Sequence, residues 1–378
     1  TMNQRDFLSH NQVVSLIKAV GDKRTVLIMG ENGIGKTSVH RTLCADPDFS
    51  AHFKVPPIDC TQLSDGSLFM PDIDRERGVS RELPNERLGI SFNNQRGSMN
   101  QQPVMLFFDE VAKVPQFVKN MIAPVAYERR AGSMFMPDKS VVIMATNLAM
   151  EGLGDYLEAH LRNRIIVVYM RKPSLDEFMN DFAIPNKLNP ILLACLEEHP
   201  EAFDSFIDYL PGGKHAGKDQ SKDNPIIYNP SESQDAYATP RSFHAASDIL
   251  DGMDRLDGAT LEQALNGAVG KAFTSILMSF IRFGQQVPSS ADIKADPLNV
   301  PVPTNKLAQQ IVVFRSISQT HTRDDAGAFT RYIRRLQPEM QSLFCRRVSH
   351  GAHAAMTLYC SINEFTQMMA DNRIFYAV

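Results

Sequence analysis

Five short runs constrain this chain more than any other feature: RTVLIMG (24–30), FKVPPIDC (53–60), PVMLFFDE (103–110), SVVIMATN (140–147) and RIIVVYM (164–170). A strand with one wet face alternates apolar and polar residues, whereas a strand buried on both faces reads as a near-continuous apolar run. These runs are of the second kind, and the segments between them carry helical spacing. They predict a parallel sheet covered on both faces, a three-layer α/β domain over residues 1–172.

After Pro173 the strand signals stop. Apolar residues recur at helical spacing in SLDEFMNDFA, PILLACLEEHPEAF, PRSFHAASDILDGM and TLEQALNGAVGKAFTSILMSFIRF. A helical domain is therefore expected over 173–285, then a linker (QQVPSSADIKADPLNVPVPTN) and a helical C-terminal segment within 286–378. Residues 211–238, rich in Gly, Pro, Ser and Lys, read as a mobile loop. With 378 residues and 43% hydrophobic content the chain can bury full cores.

The net charge of -4 supplies no global basic field, which disfavours non-specific attachment to nucleic acid or anionic lipid. The five cysteines, at 44, 60, 195, 345 and 360, form no CxxC pair, so neither a zinc knuckle nor a disulfide framework is expected. Reduced thiols suit a cytoplasmic protein. The opening TMNQRDFLSHNQ has no basic segment leading into an apolar run, and no stretch of membrane-spanning length is apolar throughout; no targeting segment or membrane contact is expected.

The first strand runs into GENGIGKTS, in which Gly30, Gly35, Lys36 and Thr37 fit G-x-x-x-x-G-K-[ST]. Backbone N–H groups of such a loop wrap phosphates, the lysine adds charge and the threonine hydroxyl reaches magnesium. A strand precedes this copy and a helix follows, which aims unpaired helix N–H groups at the phosphates. Gly30, Glu31, Asn32, Gly33, Ile34, Gly35, Lys36, Thr37 and Ser38 form the expected nucleotide cradle. The chain contains a control: GGKHAGKD places Gly212, Gly217 and Lys218 at the same spacing, but with Asp219 where a hydroxyl belongs and no strand before it, so it is assigned to loop.

VMLFFDE delivers Asp109 and Glu110 at the carboxyl end of a buried strand, where open α/β sheets hold their ligands. Asp109 is the expected magnesium carboxylate, and Glu110 the base that orients and deprotonates the attacking water. A capping role for an acidic strand end is the plainer alternative. VVIMATN ends in Asn147, placed to hydrogen-bond the γ-phosphate and that water.

The order of these motifs resembles the AAA+ ATPases. FFDEVAKVPQFVKNMIAPVAYERRAGSMFMPDKSVVIMATN and EGLGDYLEAHLRNRIIVVYMRKPSLDEF are similar to the MoxR and dynein-related branch found in bacteria and their phages. The resemblance implies a P-loop NTPase (AAA+) parallel sheet, an all-α lid and ATP with Mg2+ as ligands. It matches Lys36 and Thr37 to Walker A, Asp109 and Glu110 to Walker B, and Asn147 to sensor 1. Arg164, with Arg162 as competitor, matches the arginine finger that reaches a neighbouring subunit's nucleotide, and Arg241 matches the sensor 2 arginine of the lid. It also implies a homo-oligomeric ring of six subunits acting as a chaperone, beside a von Willebrand factor A domain partner.

Two stretches fall outside the pattern. The segment between Cys60 and Pro103 is longer than a helix connection needs, and its SLFMPD (67–72) either packs beneath the loop or meets a substrate. SMFMPD (133–138) reads as a hairpin tip, facing a central pore or buried against a neighbour. His350 and His353 lack a third ligand at compatible spacing, so a metal site is not expected. RYIRRL (331–336) and CRRVSH (345–350) read as solvated helix faces rather than nucleic-acid contacts. Besides the remodelling ATPase, a DNA-directed AAA+ motor or loader and a nucleotide-gated scaffold use the same core; the acidic net charge speaks against the first, and a water-activating Glu110 against the second.

Overall fold

A computed structural model describes residues 6–90, 92–93, 98–99, 102–148, 163–350 and 353–373. The chain divides into two compact units, Thr1–Lys172 and Pro173–Val378.

The strands in chain order are β1 (Val26–Gly30), β2 (Phe53–Lys54), β3 (Ile58–Asp59), β4 (Phe69–Asp74), β5 (Val79–Pro84), β6 (Phe92–Asn93), β7 (Ser98–Met99), β8 (Val104–Asp109), β9 (Arg130–Ala131), β10 (Met134–Phe135), β11 (Val141–Asn147) and β12 (Ile166–Tyr169). The central sheet is parallel, ordered β12-β1-β11-β8-β2, with β3 also on β8. All five apolar runs enter it. The second run is split into β2 and β3 because Pro56 and Pro57 carry no N–H for the ladder, which confines such a segment to a sheet edge.

Among the described residues, three α-helices belong to this unit: α1 (His10–Val20), α2 (Lys36–Ala45) and α3 (Gln116–Glu128). Ser9 and Gln12 close α1 with reciprocal side-chain to backbone bonds, a capping box. The period of two along each strand decides which layer a side chain joins. Val26 and Ile28 of β1, Met105 and Phe107 of β8, and Val141, Ile143 and Ala145 of β11 pack with Val13 and Ile17 of α1 and Val39 and Leu43 of α2. The alternate residues Leu27, Met29, Leu106, Phe108, Val142 and Met144 pack with Val118, Ile122 and Val125 of α3. Burial of each such side chain contributes about 1.5–3 kcal/mol, so a sheet apolar on both faces is held from both sides. The three-layer α/β class expected from the strand runs is the one observed.

His40, on the α2 side, lies edge-on to Phe107 with ring centroids 5.7 Å apart. Burial holds its pKa below the usual histidine value. Below pH 6.5 the unfolded chain then binds a proton that the folded one resists, so stability falls as pH drops through 6.5 towards the lowered folded value. His353 in the second unit has the same sign and cause. Thermal midpoints are expected to fall between pH 7 and pH 5.5, and His40→Gln is expected to flatten part of that slope; an unchanged slope would remove His40 from the account.

The β4–β5 hairpin lies in the segment between Cys60 and Pro103, and β9–β10 touches it: Ser133 N donates to Glu82 O at 3.1 Å and Glu82 N to Ser133 Oγ at 2.8 Å. The turn must be Gly132, whose φ is +63° and whose added Cβ would lie 2.4 Å from Glu82 O. In SLFMPD, Leu68 is fully buried and Phe69 packs on the core, while Met70 is exposed. In SMFMPD, Met136 is buried and Phe135 is 73% exposed.

The second unit is helical and has one core running from Phe178 to Met369. Pro190–Glu198 buries six consecutive residues, Ile191 to Leu196, and Lys306–Ser318 buries Ala308 to Phe314. A helix buried on every side sits at the centre of its domain, and the amphipathic helices Pro240–Asp251, Lys271–Gly284 and Arg323–Ile333 turn one face towards it. Residues 211–238 are not the loose loop expected from their composition. Ile226 and Ile227 are buried in the core, Ile227 bridges Ala238, and Asn224 and Asn229 are buried polar groups with hydrogen-bond partners. Two consecutive isoleucines outweigh the polar majority because their burial fixes the backbone on either side.

The five cysteines are free. No described helix is long and apolar enough to cross a membrane, and no group of metal-competent side chains occurs among the described residues. His353 is buried with Nε2 3.2 Å from Arg347 O, and His350 contacts Ser349 and the Arg346 carbonyl. The basic runs are only partly a solvated face. Arg331, Arg334 and Arg346 are exposed and paired to Glu364, Asp371 and Glu197. Arg347, by contrast, is 1% exposed: Nε and Nη2 donate to Glu197 Oε2 at 3.0 and 2.7 Å, and Nη1 lies 2.8 Å from Asp176 Oδ1.

Candidate active site

Parallel register brings the ends of four strands to one edge. Gly30 at the end of β1 aligns with Asn147 at the end of β11, and Asp109 at the end of β8 aligns with Asp59 of β3. The glycine loop leaves β1 at that edge and returns as α2. Gly30 is confined there because a Cβ would lie 2.6 Å from Ile34 Cδ1 and 2.8 Å from Met170 O. Gly33 and Gly35 have φ of 74° and 95°, and Gly35 caps α2 without a side chain. The first N–H groups of α2 have no carbonyl four residues back within the helix, and Ser38 N donates instead to Gly35 O at 3.0 Å. Ser38 Oγ turns back onto Gly35 O at 2.5 Å.

Side chains from the loop, β8 and β11 meet. Lys36 is buried, and its Nζ donates to Gly30 O at 3.1 Å, Glu31 O at 2.7 Å and Asn147 Oδ1 at 2.7 Å. Asn147 Nδ2 donates to Glu110 Oε1 at 2.7 Å. The amide is oriented by chemistry: a lysine needs an acceptor and a carboxylate needs a donor, so only one of its two flips satisfies both. Thr37 Oγ1 donates to Asp109 Oδ2 at 2.8 Å. Glu110 follows β8 in the left-handed region, φ 57°, unusual for a residue with a side chain and a form of strain that clusters at functional sites. Its Oε2 is buried and accepts no hydrogen bond, although Lys113 Nζ lies 3.2 Å away.

Beside this pair, burial pushes the Cys60 thiol up to about 12, with the negative fields of Asp109, Asp59 and Glu110 acting in the same direction. It stays a protonated thiol rather than a nucleophile. Asp59 accepts from Thr61 N, Thr61 Oγ1 and Gln62 Nε2, bonds that hold its carboxyl below the usual range despite partial desolvation.

Of the residues picked out by sequence, Lys36, Thr37, Asp109, Glu110 and Asn147 come together. Arg164 does not join them within its own chain. It precedes β12 at the amino edge of the sheet, is exposed, and lies 3.8 Å from Glu128 Oε1. Arg162 lies outside the described residues. Arg241 is exposed in the first turn of the Pro240–Asp251 helix of the second unit. The second glycine motif forms turns, with Gly212 and Gly217 at φ of 90° and 88° and no strand before them. Sequence reasoning passed over Lys113; its spacing of three residues from Glu110 in a short turn was the available signal.

No family model and no curated protein matches the chain. Among solved structures it is similar to a RuvB point mutant from Thermotoga maritima (12% identity, 81% of this chain and 79% of that chain, TM-score 0.35). It is similar also to a second RuvB mutant from the same organism (12%, 82% and 84%, TM-score 0.31) and to PCH-2 from C. elegans (13%, 72% and 67%, TM-score 0.31). Likenesses of that size carry no weight for function. The parallel order, the glycine loop between β1 and α2, and the polar ends of β8 and β11 themselves give the first unit a three-layer α/β fold with a P-loop, followed in the chain by a helical unit.

Proposed function

We propose that this chain is a Mg-ATP-hydrolysing AAA+ ATPase of the MoxR-like kind, which assembles into a six-membered ring and remodels a protein partner. The observation that carries the reading is the continuous contact Lys36–Asn147–Glu110 beside Thr37–Asp109 at the carboxyl edge of the sheet. A binding-only module has no chemical need for the carboxylate in that group.

The residues fit a magnesium-bound triphosphate. A Cβ at Gly30 would collide with Ile34 Cδ1 and Met170 O, so glycine is what lets the loop turn this tightly, and the orphaned Glu110 Oε2 is a buried acceptor suited to a water proton. In this reading the N–H groups of residues 30–38 and the Lys36 ammonium bind the phosphates. Thr37 and Asp109 are the groups that would hold Mg2+, which when bound neutralises phosphate charge. Glu110 accepts the proton of the attacking water, and Asn147 orients Glu110 with its amide nitrogen while its oxygen steadies Lys36. Arg241, on a lid spanning 173–285, supplies a guanidinium to the γ-phosphate, and Arg164 of a neighbouring subunit supplies another, with Arg162 as the alternative. Planar, permanently charged guanidinium groups suit phosphate oxygens better than lysine does. Residues 286–378 form a C-terminal segment, and a von Willebrand factor A domain protein is the proposed partner, in the cytoplasm.

Arg164→Ala is expected to lower ATP turnover about 10³-fold, the size of an arginine-finger effect, with nucleotide affinity retained. Near-parental turnover in both Arg164→Ala and Arg162→Ala would remove the trans-acting arginine from the proposal. Mass measurement with a non-hydrolysable ATP analogue reads the ring directly. Steeply salt-dependent binding to DNA would instead favour a DNA-directed motor.

A further inference from the structure

We propose that Lys113 is a positioning residue for Glu110, its ammonium steadying the carboxylate so that Oε2 is left free of protein hydrogen bonds to accept from the attacking water. The inference rests on the ATPase reading above and adds a residue that the reading does not use. Glu110 is the first residue of a tight turn in which Lys113 N donates to Glu110 O at 3.2 Å. That turn is pinned on both sides: Val111 N donates to Ala145 O of β11 at 3.2 Å, and Val111 and Val114 are both buried in the core. The root of Lys113 is thereby fixed relative to Glu110, so only its side chain has freedom.

The two carboxylate oxygens are treated differently. Oε1 is committed to the Asn147 amide at 2.7 Å. Oε2 has a cation 3.2 Å away but accepts no hydrogen bond, so charge is balanced while its lone pairs remain available. The surroundings make that cation matter. Asp109 is the neighbouring residue and Asp59 stands in register with it, both carboxylates of the same sign as Glu110. Lys36 Nζ donates to Asn147 Oδ1 and to two loop carbonyls. Lys113 supplies opposite charge directly at the carboxylate, and its own side chain is 58% exposed against 26% for Glu110. A group so exposed is removable without opening the core.

The test is steady-state ATP turnover of the full chain for Lys113→Met, Lys113→Arg, Glu110→Gln and the double variant Lys113→Met with Glu110→Gln, with nucleotide affinity measured alongside. Lys113→Met is expected to lower kcat about tenfold, a part of the 10²–10⁴-fold that a positioned general base contributes, with ATP affinity within about twofold of the parent. Lys113→Arg is expected to restore most of the rate. In the Glu110→Gln background the Lys113→Met change is expected to have no further effect, because residues that act as a unit are non-additive. A Lys113→Met kcat equal to the parent's, an equal loss in both backgrounds, or a loss of affinity matching the loss of kcat would each overturn the proposal. A parent chain with no ATP turnover would instead overturn the ATPase reading itself, so the two failures are distinguishable.

Discussion

Glu110→Gln is expected to lower ATP turnover about 10²–10³-fold while nucleotide binding persists, equivalent to about 3–4 kcal/mol of barrier. The substitution is nearly isosteric and keeps an oxygen at the Oε1 position to accept from Asn147 Nδ2, now at 2.7 Å. What it removes is the basic oxygen at Oε2, the atom that is buried without a hydrogen bond. Phosphate and metal contacts in the proposed site belong to the loop, Lys36, Thr37 and Asp109, so affinity and turnover are expected to separate. Fluorescent nucleotide binding together with phosphate release measures both; a parental rate in the variant would show that Glu110 is not the base. Strain adds a second consequence. Glu110 holds φ at 57°, a conformation that costs any residue with a side chain about 1–3 kcal/mol. Glu110→Gly is therefore expected to stabilise the fold slightly while abolishing turnover.

The largest expected effect on stability lies in the second unit. Glu197→Ala is expected to destabilise the protein by about 3–5 kcal/mol, the range for breaking a buried ion pair by removing one partner. Arg347 is 1% exposed and directs two donors at Glu197 Oε2, while Glu197 is itself 9% exposed. Without that carboxylate the guanidinium is left with Asp176, which is largely exposed and correspondingly screened, and with Asn180 Oδ1 at 3.3 Å. Arg346, which shares Glu197 through Oε1, supplies the control. It is 53% exposed, and Arg346→Ala is expected to cost less than about 1 kcal/mol. Denaturant unfolding followed by circular dichroism reads the difference between the two variants. Equal, small losses would mean that Arg347 finds water or another partner when Glu197 is gone.

Two neighbouring arginines with opposite fates show where sequence reading stops. In CRRVSH the residues are chemically identical, and the helical period alone assigns both to a polar face. Burial of Arg347 is decided by the helix Pro190–Glu198, distant in the chain, which carries Glu197 to meet it. Lys113 is a milder case, since its distance from Glu110 along the chain was visible but the pinned turn that brings ammonium to carboxylate was not. In 211–238 the polar composition suggested looseness, yet two adjacent isoleucines found the core.

The sheet was legible because its strands are apolar at every position, and only a sheet covered on both faces buries them all. The glycine loop was legible because its backbone geometry is a local property of a few residues. Even the break between β2 and β3 was written in Pro56 and Pro57, which lack the N–H a ladder requires. Tertiary structure alone decided which polar groups meet across that frame: the amide of Asn147 between Lys36 and Glu110, the hydroxyl of Thr37 on Asp109, and the carboxylate of Glu197 on Arg347. Apolar burial depends on composition and period, which a sequence displays; the pairing of single polar atoms depends on register and approach between segments far apart in the chain, and those exist only once the fold has formed.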